Sequence, residues 1–308
     1  MLCKRLASQP YAVPASNDRM LQKSLASPSD ALIYDLEDSV APNEKYRART
    51  ALIDFLQKQP PEHAQRTFVR LNALDTSQFQ DDILTMACPT RIVMPKIHSV
   101  DYLDKVAFLS TKAGRPLNII ASIESARGLW DAGRIAGWNH TARSGVGDKV
   151  AVSALLFAAE DYCADTSIIR TRSRHELLYP RSQMATAAKA FGLQCFDMVC
   201  VNYQDETVLR EECEEARRLG YDGKQAIHPN QVSIIQSTFV PTEKELLRAS
   251  KIIAQMERSH ASSTGAFGLD VSGDGKNIEM IDAPLLKQAE ATIAKARAAG
   301  LKIPDPGA

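Results

Sequence analysis

Apolar residues along this chain gather into short, nearly continuous runs. Each run ends in a polar or charged residue and is followed by a stretch with helical spacing. The strand-like runs are ALIYDLE (31–37), TFVRLN (67–72), RIVMPKI (91–97), LNIIASIE (117–124), KVAVSALLFAAED (149–161), LQCFDMVCV (193–201) and KQAIHP (224–229). A weaker one, LASQPYAV (6–13), opens the chain. Short runs rich in Val and Ile, apolar at consecutive positions, predict parallel strands covered on both faces. Between them, 44–58, 102–114, 176–192 and 205–220 carry apolar residues at helical spacing, the last ending at Gly220 in a C-cap position. Alternation of strand and helix predicts a parallel sheet of right-handed βαβ units. Eight strands in 308 residues suit a closed (β/α)8 TIM barrel. An open, doubly wound sheet is the runner-up. It would carry a glycine-rich phosphate turn after its first strand, where this chain reads VPASNDR.

After the eighth strand the pattern changes. Thr242 and Glu245 form a capping box for a helix over 243–259. SSTGAFGLDVSGDGKN (262–277) predicts a polar, glycine-containing loop, equally suited to a lid and to a tether, and a last helix covers 281–300. The expected organisation is a catalytic barrel over 1–240 and a C-terminal helical lid extension over 241–308. No repeat at solenoid periods interrupts this picture.

Composition removes several function classes. Lys+Arg and Asp+Glu both number 37, so the net charge is zero and the basic excess of a nucleic-acid binder is missing. No apolar run is long enough to span a bilayer, and the longest, 149–159, is interrupted by Ser153. Cys3, Cys88, Cys163, Cys195, Cys200 and Cys213 include no CxxC pair, which points to a reducing compartment and away from zinc. The N-terminus lacks the apolar core of a secretory signal. The expected location is the cytoplasm, or the mitochondrial matrix after removal of a transit peptide.

Active-site groups of a (β/α)8 barrel project from the C-terminal ends of its strands. Those ends carry Asp35, Glu37 and Asp38 after the second strand, Arg70 after the third and Lys96 after the fourth. Glu124 follows the fifth, Glu160 and Asp161 the sixth, and His228 the eighth. Glu124 and Asp161 could hold a magnesium ion, which favours one or two carboxylates plus water and substrate. Alternatively each acid caps a helix or pairs with a base. Arg70 is balanced between a salt bridge to Glu37 or Asp38 and a planar donor to a developing enolate. Lys96 is conceivable as a Schiff-base lysine, but an ion pair suits it better. Asp282, followed by Ala and Pro, reads locally as an N-cap. The run Arg170, Arg172, Arg174 and Arg181 reads as a solvated helix face, and His228 as a strand-end histidine bonded to backbone.

The ordered set VPASNDRMLQKS, DLEDSV, VRLN, MPKI, IESARG, AAEDY, GKQAIHPNQ and IDAPLLKQA resembles citrate lyase beta-subunit-like proteins over nearly the whole chain. That family includes malyl-CoA and citramalyl-CoA lyases, within the wider HpcH/HpaI aldolase/citrate lyase superfamily. The resemblance implies a TIM barrel, a homotrimer, Mg2+ and a CoA-thioester substrate. It implies metal ligands at Glu124 and Asp161, a substrate-binding arginine at Arg70, and cationic CoA contacts at Arg19 and Lys23. A backbone contact to CoA is implied around Ile227 and His228. An acid/base aspartate is implied at Asp282, offered to the neighbouring subunit by the C-terminal lid. Two positions depart from the family pattern. Its LYVPG motif has Ala12 and Ala15 here, leaving Tyr11, displaced by one, to supply any aromatic contact. Its glycine pair before Glu-Asp is Ala158–Ala159 here.

The activity implied is magnesium-dependent cleavage of a 3-hydroxyacyl-CoA, with citramalyl-CoA giving acetyl-CoA and pyruvate as the first expectation. The alternatives are a malyl-CoA lyase or thioesterase, a malate synthase activity, and a catalytically silent CoA-binding protein of the same fold. A CoA-free class II aldolase would have no need of Arg19 and Lys23.

Overall fold

The structure, a computed structural model, describes residues 10–85, 91–112, 114, 116–141, 150–261, 266–270 and 278–306. Cys3 and Cys88, the first part of the expected 6–13 strand and most of the expected 262–277 loop lie outside them. The chain divides into two compact units, Met1–Ser237 and Thr238–Ala308.

The first unit is a parallel eight-stranded sheet with strands in sequence order. The strands are β1 (Pro10–Pro14), β2 (Ala31–Asp35), β3 (Thr67–Arg70), β4 (Arg91–Met94), β5 (Leu117–Ile123), β6 (Val150–Phe157), β7 (Gln194–Asp197) and β8 (Gly223–Lys224). A parallel bridge between Tyr11 and Ala226 joins the two edges, with Ala226 donating to the Pro10 carbonyl and Ala12 to the Ala226 carbonyl. The sheet is therefore a barrel, as the apolar runs predict, and the doubly wound alternative is set aside. β2 and β3 stop at Asp35 and Arg70, inside the predicted runs; β6 stops at Phe157, ahead of Ala158 and Ala159, and β8 covers only Gly223 and Lys224. Of the groups expected at strand ends, Asp35 and Arg70 are the last residues of β2 and β3, Glu160 and Asp161 open the helix after β6, and the others lie just beyond their strands.

Helices cover the barrel. They are α1 (Asp18–Ser24), α2 (Lys45–Gln57), α3 (Pro61–Ala64), α4 (Ser77–Thr85), α5 (Val100–Lys112), α6 (Ala126–Trp130), α7 (Ala132–Ala136), α8 (Trp138–Thr141), α9 (Ala159–Thr166), α10 (Leu178–Ala190) and α11 (Glu206–Arg218). α12 (Val232–Phe239) carries the chain across the unit boundary. Gly220 has φ +93°, the left-handed conformation its C-cap position predicts.

Register decides which side chains fill the barrel. Ala31, Ile33, Phe68, Val93, Ile120, Ala154, Leu156 and Phe196 form one buried cluster. Each large member contributes roughly 1.5–3 kcal/mol through burial. Residues two further along the same strands point the same way. Asp35, Arg70, Ser122, Glu124 and Ala158 therefore crown this cluster at the C-terminal end. In β1, Ala12 pairs with Ile33 and shares its inward face, so Tyr11 faces the surrounding helices and is buried there. The aromatic contact left to Tyr11 is not available on the barrel side.

The second unit holds α13 (Glu243–Ala261), the strands β9 (Phe267–Asp270) and β10 (Ile278–Ile281), and α14 (Ala283–Ala298). Thr242 and Glu245 do form the capping box, each backbone amide bonded to the other's side chain. β9 and β10 pair antiparallel, so part of the stretch expected as loop is a hairpin strand. Leu246, Ile252, Met256, Ile281, Ala289 and Ile293 give this unit a core of its own.

Candidate active site

At the C-terminal end of the barrel a cavity of about 310 Å³ opens among the strand ends. Ala12, Pro14, Asp35, Ser39, Arg70, Ala158, Glu160, Asp161, Val199, Gln225 and Ile227 are on its wall. Met20 of α1 also lines it, between Arg19 and Lys23 in sequence. Both cations are exposed and have no ion-pair partner among the described residues.

Arg70 is the hub of one side. Its Nε and Nη2 donate to the two Asp35 oxygens, both at 2.7 Å, and Nη1 faces Glu37 Oε2 at 3.0 Å. Asp35 is tightened further by the Ser39 hydroxyl and the Glu37 amide. Burial opposes the charge on Asp35, but Arg70 outweighs it and holds the carboxyl below its ordinary range. Burial likewise opposes the charge on Arg70, and Asp35 and then Glu37 raise its pKa above the ordinary value. The salt-bridge reading of Arg70 is thus realised, chiefly with Asp35, yet the guanidinium still reaches the cavity. An arginine has five N–H donors, so Arg70 keeps some for a ligand.

Lys96 lies 3.0 Å from Glu37 Oε1 and 3.6 Å from Asp38 Oδ1. It is a charged ion-pair lysine, its pKa raised as Glu37 and Asp38 overcome its burial. That state is the opposite of what Schiff-base chemistry needs. Its φ of +51° is strained for a lysine.

Glu124 stands apart. It is 3% exposed, and neither oxygen accepts a hydrogen bond of sound geometry. Burial, then the charge of Glu37, pushes its pKa up to about 7; Asp161 adds to the rise, while Ser122 and Arg70 offset it in part. Asp161 sits in the first turn of α9, half-buried on the cavity wall, with no cation against it among the described residues. The contrast within this end of the barrel is therefore sharp. Asp35, Glu37, Asp38 and Glu160 each face a guanidinium or ammonium group, and Glu124 and Asp161 do not.

α9 begins at the cavity with Ala158 as an N-cap that offers no side-chain oxygen. The first amides of such a helix lack intrahelical acceptors and suit a carboxylate. Among the described residues no cluster of three or more His, Cys, Asp and Glu could hold a metal. A cation here would rest on two carboxylates and leave its other positions to water and ligand, which is how Mg2+ binds.

His228 caps the turn after β8, accepting from the Asn230 amide, and its ring stacks on Tyr203 at 4.9 Å. The amides of Ile227 and His228 both point to Gln231 Oε1. Asp282 lies in the second unit, exposed, as the N-cap of α14 and with its side chain accepting from the Leu285 amide at 3.4 Å. The local N-cap reading of that residue holds.

The arginine run is where sequence pattern misleads. Arg172 is exposed, but Arg174 and Arg181 are buried and Arg170 is mostly covered, in ion pairs with Glu215, Asp197 and Glu212 respectively. Arg181 is fully buried and bidentate on Asp197, and the equally buried Lys224 faces Asp197 and Glu212. No local signal marks Lys224, because its partners come from β7 and α11.

The model of the HpcH/HpaI aldolase/citrate lyase family matches residues 12–229. The mitochondrial citramalyl-CoA lyase of Homo sapiens is 29% identical over 291 residues, covering 91% of this chain and 83% of that protein. The citrate lyase subunit beta of Leuconostoc mesenteroides subsp. cremoris is 32% identical over 304 residues, covering 96% and 95%. Among solved structures, protein CitE from Mycobacterium tuberculosis in complex with magnesium, acetoacetate and coenzyme A superposes with a TM-score of 0.77 at 28% identity. That match covers 96% of this chain and 99% of the other.

Proposed function

This chain belongs to the HpcH/HpaI aldolase/citrate lyase family, and on that premise we propose that it is a magnesium-dependent carbon–carbon lyase. Its substrate would be a CoA thioester, (3S)-citramalyl-CoA, and its products acetyl-CoA and pyruvate. The observation that carries this reading is the pair of carboxylates, Glu124 and Asp161, left without cations among paired neighbours. An unpaired, buried glutamate is costly in a folded protein unless a ligand compensates it. Relatives named as citramalyl-CoA lyase, and a neighbour crystallised with magnesium and coenzyme A, support the same choice.

Glu124 and Asp161 would hold the cation. When bound, it supplies Lewis-acid polarisation and a template for the substrate's 3-hydroxyl and carboxylate oxygens. The chain's own groups do the rest. The first amides of α9 receive the substrate carboxylate, with the methyls of Ala158 and Ala159 setting the width of that corner. Arg19 and Lys23 meet CoA phosphates, and the Ile227–His228 turn lies along the CoA chain. The hydroxyl passes its proton to the Asp282 carboxylate, the bond between its carbon and the thioester α-carbon breaks, and the hydroxyl oxygen becomes the ketone of pyruvate. The bonding electrons pass to the α-carbon and the thioester oxygen. The free N–H groups of Arg70 face that developing enolate. Asp282, supplied by the C-terminal lid of a neighbouring subunit in a homotrimer, returns a proton to the α-carbon. The location proposed is the cytoplasm or the mitochondrial matrix, the latter being where the human relative's name puts it.

The test mixes purified protein, magnesium chloride and racemic citramalyl-CoA, with malyl-CoA in parallel, and follows products by mass spectrometry. EDTA-sensitive release of acetyl-CoA and pyruvate is expected. Acetyl-CoA with glyoxylate would move the assignment to malyl-CoA, and free CoA alone would indicate a thioesterase. Turnover of neither substrate, with CoA still bound, would leave a silent CoA-binding protein. Asp282→Asn should fold and bind magnesium, yet lose roughly a hundredfold or more in turnover, the scale of acid–base catalysis. Near-normal turnover would remove Asp282 from the reaction.

A further inference from the structure

Glu160 and Val199 stand on the cavity wall, at the ends of β6 and β7. One side chain holds both. Arg170 pairs through Nη1 with the Glu160 carboxylate and donates through Nη2 to the Val199 carbonyl at 3.2 Å. The same Nη2 lies 3.0 Å from Glu212 Oε1, and Glu212 also faces Lys224 at 2.9 Å and Arg174 at 3.8 Å. Glu215 then bridges Arg174 and Arg181, and Asp197 bridges Arg181 and Lys224. Four cations thus meet four carboxylates.

The members are not equivalent. Asp197, Glu212 and Glu215 each touch two or more cations. Glu160 touches only Arg170 among the described residues, and its side chain is 51% exposed. The buried members balance one another, and Arg170–Glu160 is the arm that reaches the cavity.

We propose that Arg170 is a positioning residue: it cancels and pins the Glu160 carboxylate, so that this wall of the cavity accepts the carboxylate of an anionic substrate. The inference rests on the 2-oxo acid lyase reading above, since only an anionic acyl group makes the sign of that wall matter. The wall already carries Asp161 and, cancelled by Arg70, Asp35. A released Glu160 would add an uncancelled negative charge beside Asp161. It would also free the first turn of α9, whose amides face the same ligand. Both effects act against an anion.

The experiment measures pyruvate affinity by calorimetry, in saturating magnesium chloride, on the full chain, with thermal melts alongside. Arg170→Ala should melt as a folded protein and bind pyruvate about tenfold more weakly, the scale of a partly exposed charge a few ångströms from an anion. Adding Glu160→Gln to Arg170→Ala should restore affinity to within about threefold of wild type, because the uncancelled charge is gone. Arg170→Lys, which keeps the charge, should also stay within about threefold and carries the test if the alanine variant does not fold. An unchanged affinity in Arg170→Ala would overturn the proposal. So would a loss that Glu160→Gln does not repair, because that is the mark of a merely structural arginine. A wild type that binds magnesium but no pyruvate would instead sink the 2-oxo acid reading itself, and this inference with it.

Discussion

Two groups of charges sit at the same end of the barrel and are built on opposite plans. Around the ends of β2–β6, three carboxylates, Asp35, Glu37 and Asp38, pair with two cations, Arg70 and Lys96, and two more, Glu124 and Asp161, have no ion-pair partner among the described residues. Toward β7 and β8, Asp197, Glu212, Glu215 and Glu160 are matched one for one by Lys224, Arg181, Arg174 and Arg170. The second group is more deeply buried, with Arg181, Asp197 and Lys224 fully enclosed, yet its charges are satisfied. The first is more open and has an excess of negative charge. Burial by itself therefore does not mark a functional site. Imbalance does, because an uncompensated carboxylate disfavours folding unless something outside the chain completes it.

The same substitution on both sides gives the largest contrast. Lys224→Met should cost about 3–5 kcal/mol of stability, because it strips a cation from enclosed Asp197 and Glu212. Lys96→Met removes an ammonium that is 38% exposed and leaves Glu37 with Arg70, so its cost should stay below about 1 kcal/mol. Urea titrations of the two variants decide this. Equal losses would erase the distinction between the groups.

The next effect is on pH. The Glu124 carboxyl titrates near 7 in the folded, metal-free protein and ordinarily at 4.5. Across that window the folded state keeps a proton that the unfolded chain has lost. Stability without metal should therefore fall as pH rises from about 4.5 through about 7, by roughly 1–3 kcal/mol. Glu124→Gln should flatten that fall. Cation binding below the upper limit should expel the proton, which calorimetry in buffers of differing ionisation enthalpy reads directly. A flat profile in the wild type would mean that Glu124 is compensated within the chain.

The barrel was legible because parallel strands covered on both faces must be continuously apolar, and ALIYDLE or LNIIASIE can be little else. Their ends were over-extended, since residues such as Glu37 and Glu124 continue the run into the loop without a local break. The start of α9 reads as part of the sixth strand for that reason: Ala158 and Ala159 follow Phe157 with no polar residue between. β9 was hidden by the Gly, Ser and Asp around it. The strand-end carboxylates were legible one by one, because topology says where active-site groups project. Which of them lack a cation was not, because the answer depends on partners far apart in sequence. Arg70 finds Asp35, and Arg174 finds Glu215, 35 and 41 residues away. The arginine run misled for the same reason, its partners being invisible to local spacing.

On this reading it is the unpaired carboxylates, and not merely acidic ones, that form a cation site. Glu160 and Asp161 are adjacent in sequence, one paired with Arg170 and the other with nothing charged among the described residues. Titration of Mn2+ as a paramagnetic stand-in for Mg2+, followed by electron paramagnetic resonance, separates them. A single tight site per chain that magnesium displaces is expected, lost in Asp161→Asn and in Glu124→Gln, and retained in Glu160→Gln. Loss of the site in Glu160→Gln with retention in Asp161→Asn would contradict it.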